Sequence, residues 1–326
     1  MNGGDGSRAA LLQSMIMPGL ACRRQAAPLI EDFDRFRQAV PDDPAWGPDC
    51  PVPVYDGQVP QVQAMMEQLA PLQAHLRGAY VHGSLATSDA VPYSDFDGLV
   101  ILRDELFQVQ EHLVQVAHTL NRLRRTMFEF DPLQHHGWFV LTEADLCFYC
   151  DAYFPFELFR YSRSLLQGDS TLVRVAARDS GAEYKAVFRQ ALAGMERKLT
   201  RGAVPDNMFA LKSLLSEIML APALFIQAKT GRAIYKGDSF DVARRYFDDR
   251  IWAPMDQVSS IRRQWHYSMG PLRRVLLTRL VATRRLATRW FSPPVPADIA
   301  MQLTPAWTQA TVRLLHTMRE IVEQTA

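Results

Sequence analysis

The sequence has little of several features that would place a protein in a specialised class. Only four of its 326 residues are cysteine, which is too few for a disulfide framework, so a reduced, cytoplasmic setting is expected. Its 36 basic and 35 acidic residues nearly cancel, and this balance does not indicate a nucleic-acid partner. No apolar run looks long enough to span a membrane, and Gln13, Ser14 and Pro18 interrupt the stretch that most resembles a signal peptide. We therefore expect a globular protein with no membrane partner.

What the sequence does contain is a pair of carboxylates at the start of an apolar segment. Ala79 to His82 and Phe96 to Leu102 are apolar and strand-like. Asp95 and Asp97 lie two residues apart at the entry to the second segment, so both side chains should point to one face. Two close carboxylates repel each other unless a cation lies between them, and their oxygens suit Mg²⁺ or Mn²⁺.

Between the two strand-like segments lies a candidate phosphate-binding turn. Gly83 can adopt backbone angles that other residues cannot, and it lets a phosphate come close. Ser84 offers a hydroxyl group where a short following helix would present backbone N–H groups to an anion. A phosphate site beside a metal site suits in-line attack on a nucleoside triphosphate.

This stretch resembles the signature of the DNA polymerase β-like nucleotidyltransferase superfamily: an apolar residue, Gly-Ser, a ten-residue spacer and Asp-x-Asp. About twenty residues match closely, and residues 61–149 match by pattern. The resemblance implies that Gly83 and Ser84 bind the triphosphate, such as ATP, and we assign Ser94, directly before Asp95, to the same nucleotide-binding set. It implies that Asp95 and Asp97 are catalytic and hold the metal ions.

The resemblance also implies an α/β fold in which a nucleotidyltransferase domain with a mixed sheet precedes a mostly α-helical domain. We place an N-terminal extension at 1–60, the catalytic domain at 61–153 and the helical domain at 154–326.

A third carboxylate usually completes such sites, where it holds metal and acts as a base. Thr126 to Phe130 and Gly137 to Leu141 are predicted as strands around a polar turn, so Glu129 and Asp131 would share a face. We assign Asp131 as the third catalytic and metal-binding carboxylate. The alternative is that Asp131, followed by Pro132, only starts a turn.

Two adjacent histidines follow the candidate third carboxylate. On an extended chain, His135 and His136 would point in opposite directions, so at most one should face the site. Such a histidine could bind phosphate, act as a base or help to hold a metal. The alternative for either residue is a partly buried histidine with a structural role.

Basic residues of the C-terminal part supply further candidates. Lys212 in an apolar helix and Lys236 before a helix start could each bind the triphosphate, or could be surface lysines with buried stems. Residues 257–297 contain no acid. They carry eight arginines, Arg262, Arg263, Arg273, Arg274, Arg279, Arg284, Arg285 and Arg289. This strip could bind nucleic acid, an anionic membrane surface or an acidic substrate, but a solvated helix face paired with acids elsewhere explains it better.

These observations predict a Mg²⁺-dependent nucleotidyltransferase that moves a nucleoside monophosphate from a triphosphate to an acceptor hydroxyl or phosphate, with release of pyrophosphate. A small molecule or sugar is the favoured acceptor. One alternative is transfer to an RNA end, which only the arginine strip favours. The other is a non-catalytic, nucleotide-binding regulatory protein of the same fold, against which the intact motif residues count.

Overall fold

The computed structural model describes residues 20–168, 171–200 and 205–324, and these form two compact units. The first unit contains the described residues up to Ala90, Ser94–Arg178 and Arg274–Ala287. The second contains Val91–Tyr93, Asp179–Arg273 and the described residues from Thr288 onward. The stretch compared above with a signal peptide falls mainly within residues 1–19, outside the described part.

The first unit is an α/β structure. Its helices are α1 (Leu20–Ala39), α2 (Pro60–Leu69), α3 (Ser84–Thr87), α4 (Gln110–Phe130) and α5 (Glu143–Cys147). Its strands are β1 (Cys50–Val52), β2 (Leu76–His82), β3 (Asp97–Leu102), β4 (Trp138–Thr142), β5 (Arg163–Ser164) and β6 (Thr171–Val173). Short 3₁₀ segments add Ala70–His75, Asp104–Gln108 and Phe156–Tyr161.

A four-stranded mixed sheet forms the centre of this unit, in the order β4-β3-β2-β5. Strand β2 runs antiparallel to β3 and β5, whereas β3 and β4 are parallel. Strands β1 and β6 form a separate antiparallel pair. The mixed sheet that we predicted is therefore present.

Alternate side chains along the strands pack on opposite faces of the sheet, as the strand period of two requires. One face carries Ala79, Val81 and Val100 and packs against α1, α2 and α4. The N-terminal helix thus contributes to this core, and Phe33 of α1 stacks on Phe107 with ring centroids 4.0 Å apart. The other face carries a second buried cluster, which includes Tyr80.

The prediction of a strand at Thr126 to Phe130 is wrong, because these residues form the last turns of α4. Leu120, Leu123 and Met127 are buried at helical spacing, so the apolar stripe of the helix continues through the segment. Its local alternation of apolar and polar residues suggested a strand, but packing of the stripe on the sheet prevails. The second predicted strand of this pair is confirmed as β4, and Thr142 at its end caps α5 through a capping box with Asp145.

The second unit is helical. Its helices are α6 (Gly181–Thr200), α7 (Met208–Thr230), α8 (Lys236–Arg244), α9 (Asp249–Arg263), α12 (Ala297–Ala300) and α13 (Pro305–Glu323). Helices α10 (Pro271–Arg279) and α11 (Arg284–Phe291) belong partly to each unit.

Helix α7 is the centre of this unit, and it packs against α6, α8, α9 and α13. Contrary to our expectation, it is long and apolar enough to cross a membrane by length and composition. However, 67% of its most apolar window is buried within the structure, as in the core helix of a folded domain.

Candidate active site

Gly83 brings the end of β2 against the carboxylate at the start of β3. The antiparallel register places His82 opposite Asp97. Gly83 has φ 66° and ψ −153°, a conformation that is essentially restricted to glycine. A Cβ atom at this position would lie 2.5 Å from Asp97 Oδ2. Glycine is therefore required both by the backbone angles and by the close approach, and the candidate phosphate turn adjoins the candidate metal ligand.

The short helix predicted after Gly83 is present as α3. The N–H groups of Ala86 and Thr87 donate hydrogen bonds to Gly83 O at 3.1 and 3.2 Å. Ser84, the first residue of this helix, is half-buried, and Ser94 is buried on the other side of the spacer. Their contact with a nucleotide stays a prediction.

Asp95 and Asp97 converge on a single imidazole nitrogen. His136 Nε2 lies 3.3 Å from Asp95 Oδ2 and 3.1 Å from Asp97 Oδ1. The expectation that both carboxylates face the same side is thus confirmed. The imidazole of His136 lies next to both carboxylates, where a positive charge would offset their mutual repulsion.

The expectation that at most one of the two histidines faces the site is wrong. His135 Nδ1 lies 3.9 Å from Asp95 Oδ2, and Asp95, His135 and His136 offer ligand atoms that are all within 4.8 Å of one another. The reason is local, because the two histidines lie in an irregular segment between α4 and β4 and not in a strand. Without strand alternation, their rings meet edge to face at 4.9 Å.

A third imidazole, that of His82, lies opposite Asp97 and was not predicted from the sequence to belong to the site. His82 is 7% exposed, and its ring packs against Phe154 and Phe139 at centroid distances of 5.1 and 5.6 Å. Its Nε2 is buried and has no hydrogen-bond partner among the described residues. Its position directly before Gly83 and opposite Asp97 was the signal that could have identified it.

The pKa values of His82 and His136 are shifted in opposite directions, because the two imidazoles have different neighbours. Burial lowers the pKa of His82, and the attraction of Asp97 does not restore it. Burial also acts to lower the pKa of His136, but its hydrogen bond to Asp95 and the charges of Asp97 and Asp95 prevail and raise it to about 9. At neutral pH His82 is therefore neutral, and a protonated His136 balances the carboxylate pair.

Gln134 holds the backbone of Phe96, which lies between Asp95 and Asp97. This role was not predicted from the sequence. Its Oε1 accepts from Phe96 N at 2.9 Å, and its Nε2 donates to Phe96 O at 3.0 Å and to His136 O at 3.1 Å. The side chain is 1% exposed. It thus joins the Asp-x-Asp segment to the histidine segment as a neighbouring strand would.

Arg284 anchors the segment that carries Gln134. Its Nη2 donates to Pro132 O at 2.6 Å and to Gln134 O at 2.9 Å, and its guanidinium lies 4.0 Å from the centroid of the Phe128 ring. Burial lowers the pKa of Arg284 to about 10, although nearby Asp131 opposes this. This arginine of the basic strip therefore has a structural role.

The argument that placed Asp131 in the site fails with the strand on which it rested. Asp131 follows the last residue of α4, where it is buried and accepts a hydrogen bond from Leu133 N at 3.0 Å. It therefore caps a turn, as the alternative interpretation required. Within the described part of the chain, the group of residues that could share a metal ion comprises Asp95, His135 and His136; neither Asp131 nor Asp97 is in it, although Asp97 contacts His136.

The two candidate lysines lie in the helical unit. Lys212 is completely buried in α7, and its Nζ lies 4.9 Å from the centroid of the Tyr93 ring, so it is not a surface lysine. Tyr93 donates a 2.7 Å hydrogen bond to Lys212 O. Lys236 is half-buried and begins α8. Their binding of a triphosphate stays a prediction.

Most of the described arginines of the strip are exposed, namely Arg263, Arg273, Arg274, Arg279 and Arg289. Arg274 nevertheless donates to Glu129 O at 3.1 Å, and Arg284 is half-buried. Among the apolar residues between the arginines, Leu272, Leu286 and Trp290 are 71%, 58% and 70% exposed.

Comparison with known proteins adds no relative: no family model, no curated protein and no solved structure matches the chain. The function must therefore be argued from the residues of the site.

Proposed function

We propose that this protein is a divalent-metal-dependent nucleotidyltransferase with a polymerase β-like catalytic domain. It would move a nucleoside monophosphate from a triphosphate to a hydroxyl or phosphate of an acceptor, most suitably a small molecule or sugar. One observation carries the proposal: Gly83 lies directly against Asp97, while Asp95 and Asp97 converge on one point. The glycine turn and the carboxylate pair are thereby adjacent, which supports a phosphate site beside a metal site.

Separate residues of the site would bind the phosphate and the metal ion. Gly83 has no side chain to obstruct a phosphate, and the Ser84 hydroxyl can donate a hydrogen bond to a phosphate oxygen. Asp95 and Asp97, supported by the neighbouring imidazoles, would hold the divalent ion. When bound, this ion would neutralise negative charge on the triphosphate and on the reacting oxygens.

The transfer itself exchanges one phosphorus–oxygen bond for another. An acceptor oxygen attacks the α-phosphorus, and the bond from this phosphorus to the bridging oxygen of the β-phosphate breaks. Pyrophosphate leaves with the bonding electron pair, and the acceptor proton passes to water or to a neutral imidazole of the site. Gln134 and Arg284 hold the two ligand-bearing segments in position and take no part in the chemistry.

Transfer to an RNA end is the second candidate, and the observation that favours it is the set of exposed arginines, Arg263, Arg273, Arg274, Arg279 and Arg289. Arg284 donates to the carbonyls of Pro132 and Gln134, so its guanidinium is occupied within the first unit. A small acceptor stays the favoured one, because the 36 basic and 35 acidic residues of the chain nearly cancel.

The test is pyrophosphate release from each nucleoside triphosphate with Mg²⁺ or Mn²⁺ and pooled acceptors. We expect release with at least one triphosphate, and we expect Asp95→Asn and Asp97→Asn to lower the rate more than about 100-fold, because each removes an anionic ligand. Asp34→Asn, at an exposed position of α1, is the matched control and should keep the wild-type rate. No release with any triphosphate, or a near wild-type rate for Asp97→Asn, would refute the proposal.

A further inference from the structure

The donor set at the site differs from the one that the superfamily resemblance implies. That resemblance implies three carboxylates, but the third, Asp131, caps its own turn. In its place, three imidazoles accompany the two carboxylates, namely those of His82, His135 and His136. Neutralising two carboxylates requires no more than one or two positive charges, so three histidines exceed what charge balance alone explains.

The spacing of these atoms suits a shared ion. Donor atoms around one ion, bound at about 2.0–2.2 Å, lie roughly 3 to 4 Å apart. The observed separations from Asp95 Oδ2 are 3.3 Å to His136 Nε2 and 3.9 Å to His135 Nδ1. Asp97 Oδ1 lies 3.1 Å from the same nitrogen of His136. Asp95, His135 and His136 thus offer three donor atoms within reach of one ion, and Asp97 would join them by a rearrangement of its side chain next to His136.

Nitrogen donors select among metal ions. Mg²⁺ takes oxygen ligands in octahedral geometry and keeps several of its waters, so two imidazoles are poor partners for it. Imidazole nitrogens suit Mn²⁺ less than Zn²⁺ or Fe²⁺, but all three ions accept mixed nitrogen and carboxylate sets more readily than Mg²⁺ does.

We propose that the ion of this site is a first-row transition metal ion, bound by His135 and His136 together with Asp95 and Asp97, and not Mg²⁺. The inference builds on the proposed function for the role of the ion, but metal binding is measurable without any nucleotide. His82 is a neighbouring buried nitrogen that would support or extend this set.

The experiment uses the full chain, stripped with a chelator, and measures Mn²⁺, Zn²⁺ and Mg²⁺ binding by calorimetry. We expect one high-affinity site for Mn²⁺ and Zn²⁺, with Mg²⁺ binding more than about tenfold weaker. Pulsed electron paramagnetic resonance of the Mn²⁺ form should show coupling to imidazole nitrogen. His135→Asn and His136→Asn should each weaken Mn²⁺ binding by about 10–100-fold and reduce the nitrogen coupling.

Two further variants make the result interpretable. His112→Asn, at an exposed position of α4, should leave all three affinities unchanged. His136→Asp restores a carboxylate and should narrow the preference for Mn²⁺ over Mg²⁺. Circular dichroism verifies that each variant folds. The nitrogen coupling in the Mn²⁺ form of the wild-type protein tests imidazole ligation without any substitution.

Equal affinity for Mg²⁺ and Mn²⁺, or a Mn²⁺ spectrum without nitrogen coupling, would overturn the inference. Selective binding without release of pyrophosphate from any triphosphate would instead refute the proposed function and leave the metal assignment standing. Nucleotidyl transfer by a protein whose metal site is unselective and has only oxygen ligands would refute the metal assignment and leave the proposed function standing.

Discussion

Replacing Gln134 with leucine is the most informative test of how the site is held together. The side chain is 1% exposed and makes three hydrogen bonds, two with the main chain of Phe96 and one with His136 O. Leucine has a similar volume and retains the apolar contacts, but it can neither donate nor accept. The substitution therefore removes the polar connection between the Asp-x-Asp segment and the histidine segment with little change in packing.

The magnitude follows from the burial of the partners. Phe96 is completely buried, so water cannot readily replace the lost partners of its N–H and C=O groups. A buried polar group without a partner costs ~1–3 kcal/mol, and three groups lose one here, which gives roughly 3–6 kcal/mol after local relaxation. This is a large share of a typical domain stability of about 5–15 kcal/mol.

Denaturant unfolding and amide hydrogen exchange of β3 peptides would measure the effect, because exchange reports the first unit separately. Gln63→Leu is the control, since Gln63 is exposed and makes a single 2.7 Å hydrogen bond to Gly57 O. We expect a change below about 0.5 kcal/mol for this control. A Gln134→Leu protein with wild-type stability and unchanged exchange in β3 would refute the reasoning.

Two further predictions concern Gly83 and His136. Gly83→Ala should abolish triphosphate binding in calorimetry, because its methyl group would lie 2.5 Å from Asp97 Oδ2. Wild-type triphosphate affinity in Gly83→Ala would contradict the close approach. Gly231→Ala shares the φ of +66° but has ψ 21° and open space around it, so it should cost only ~1–2 kcal/mol of stability and leave triphosphate affinity unchanged. In the metal-free protein, the free energy of unfolding should fall by about 3 kcal/mol as pH rises from 6.5 to about 9, because the pKa of folded His136 lies above its ordinary value. His136→Asn should remove this slope in denaturant titrations, and an equal slope in both proteins would disprove the assigned cause.

The arginine strip includes one residue, Arg284, whose structural role could not be predicted from the sequence. The eight arginines between residues 257 and 297 form an acid-free strip in the chain, and nothing in their spacing separates one from another. In the folded unit, Arg284 lies over Phe128 and binds the carbonyls of Pro132 and Gln134. Because main-chain carbonyls have no sequence signature, such an anchor is recognisable only from coordinates.

The strands β2 and β3, the glycine turn between them and the shared face of Asp95 and Asp97 were predictable from the sequence. These features depend on local properties, namely the apolar alternation of strands, the backbone freedom of glycine and the two-residue period. The helical second unit followed from helical periodicity, whereas the mixed sheet was an implication of the family resemblance. Local physics is sufficient here because each feature arises within one element or between neighbours along the chain.

Which side chains accompany Asp95 and Asp97 was decided by tertiary structure alone. Thr126 to Phe130 alternates like a strand, but packing of Leu123 and Met127 on the sheet extends α4 through it and turns Asp131 into a cap. The same helix end leaves His135 and His136 in an irregular segment, where both rings can reach Asp95. Which donor atoms meet at a site depends on contacts between residues distant in the chain, and no local pattern encodes them.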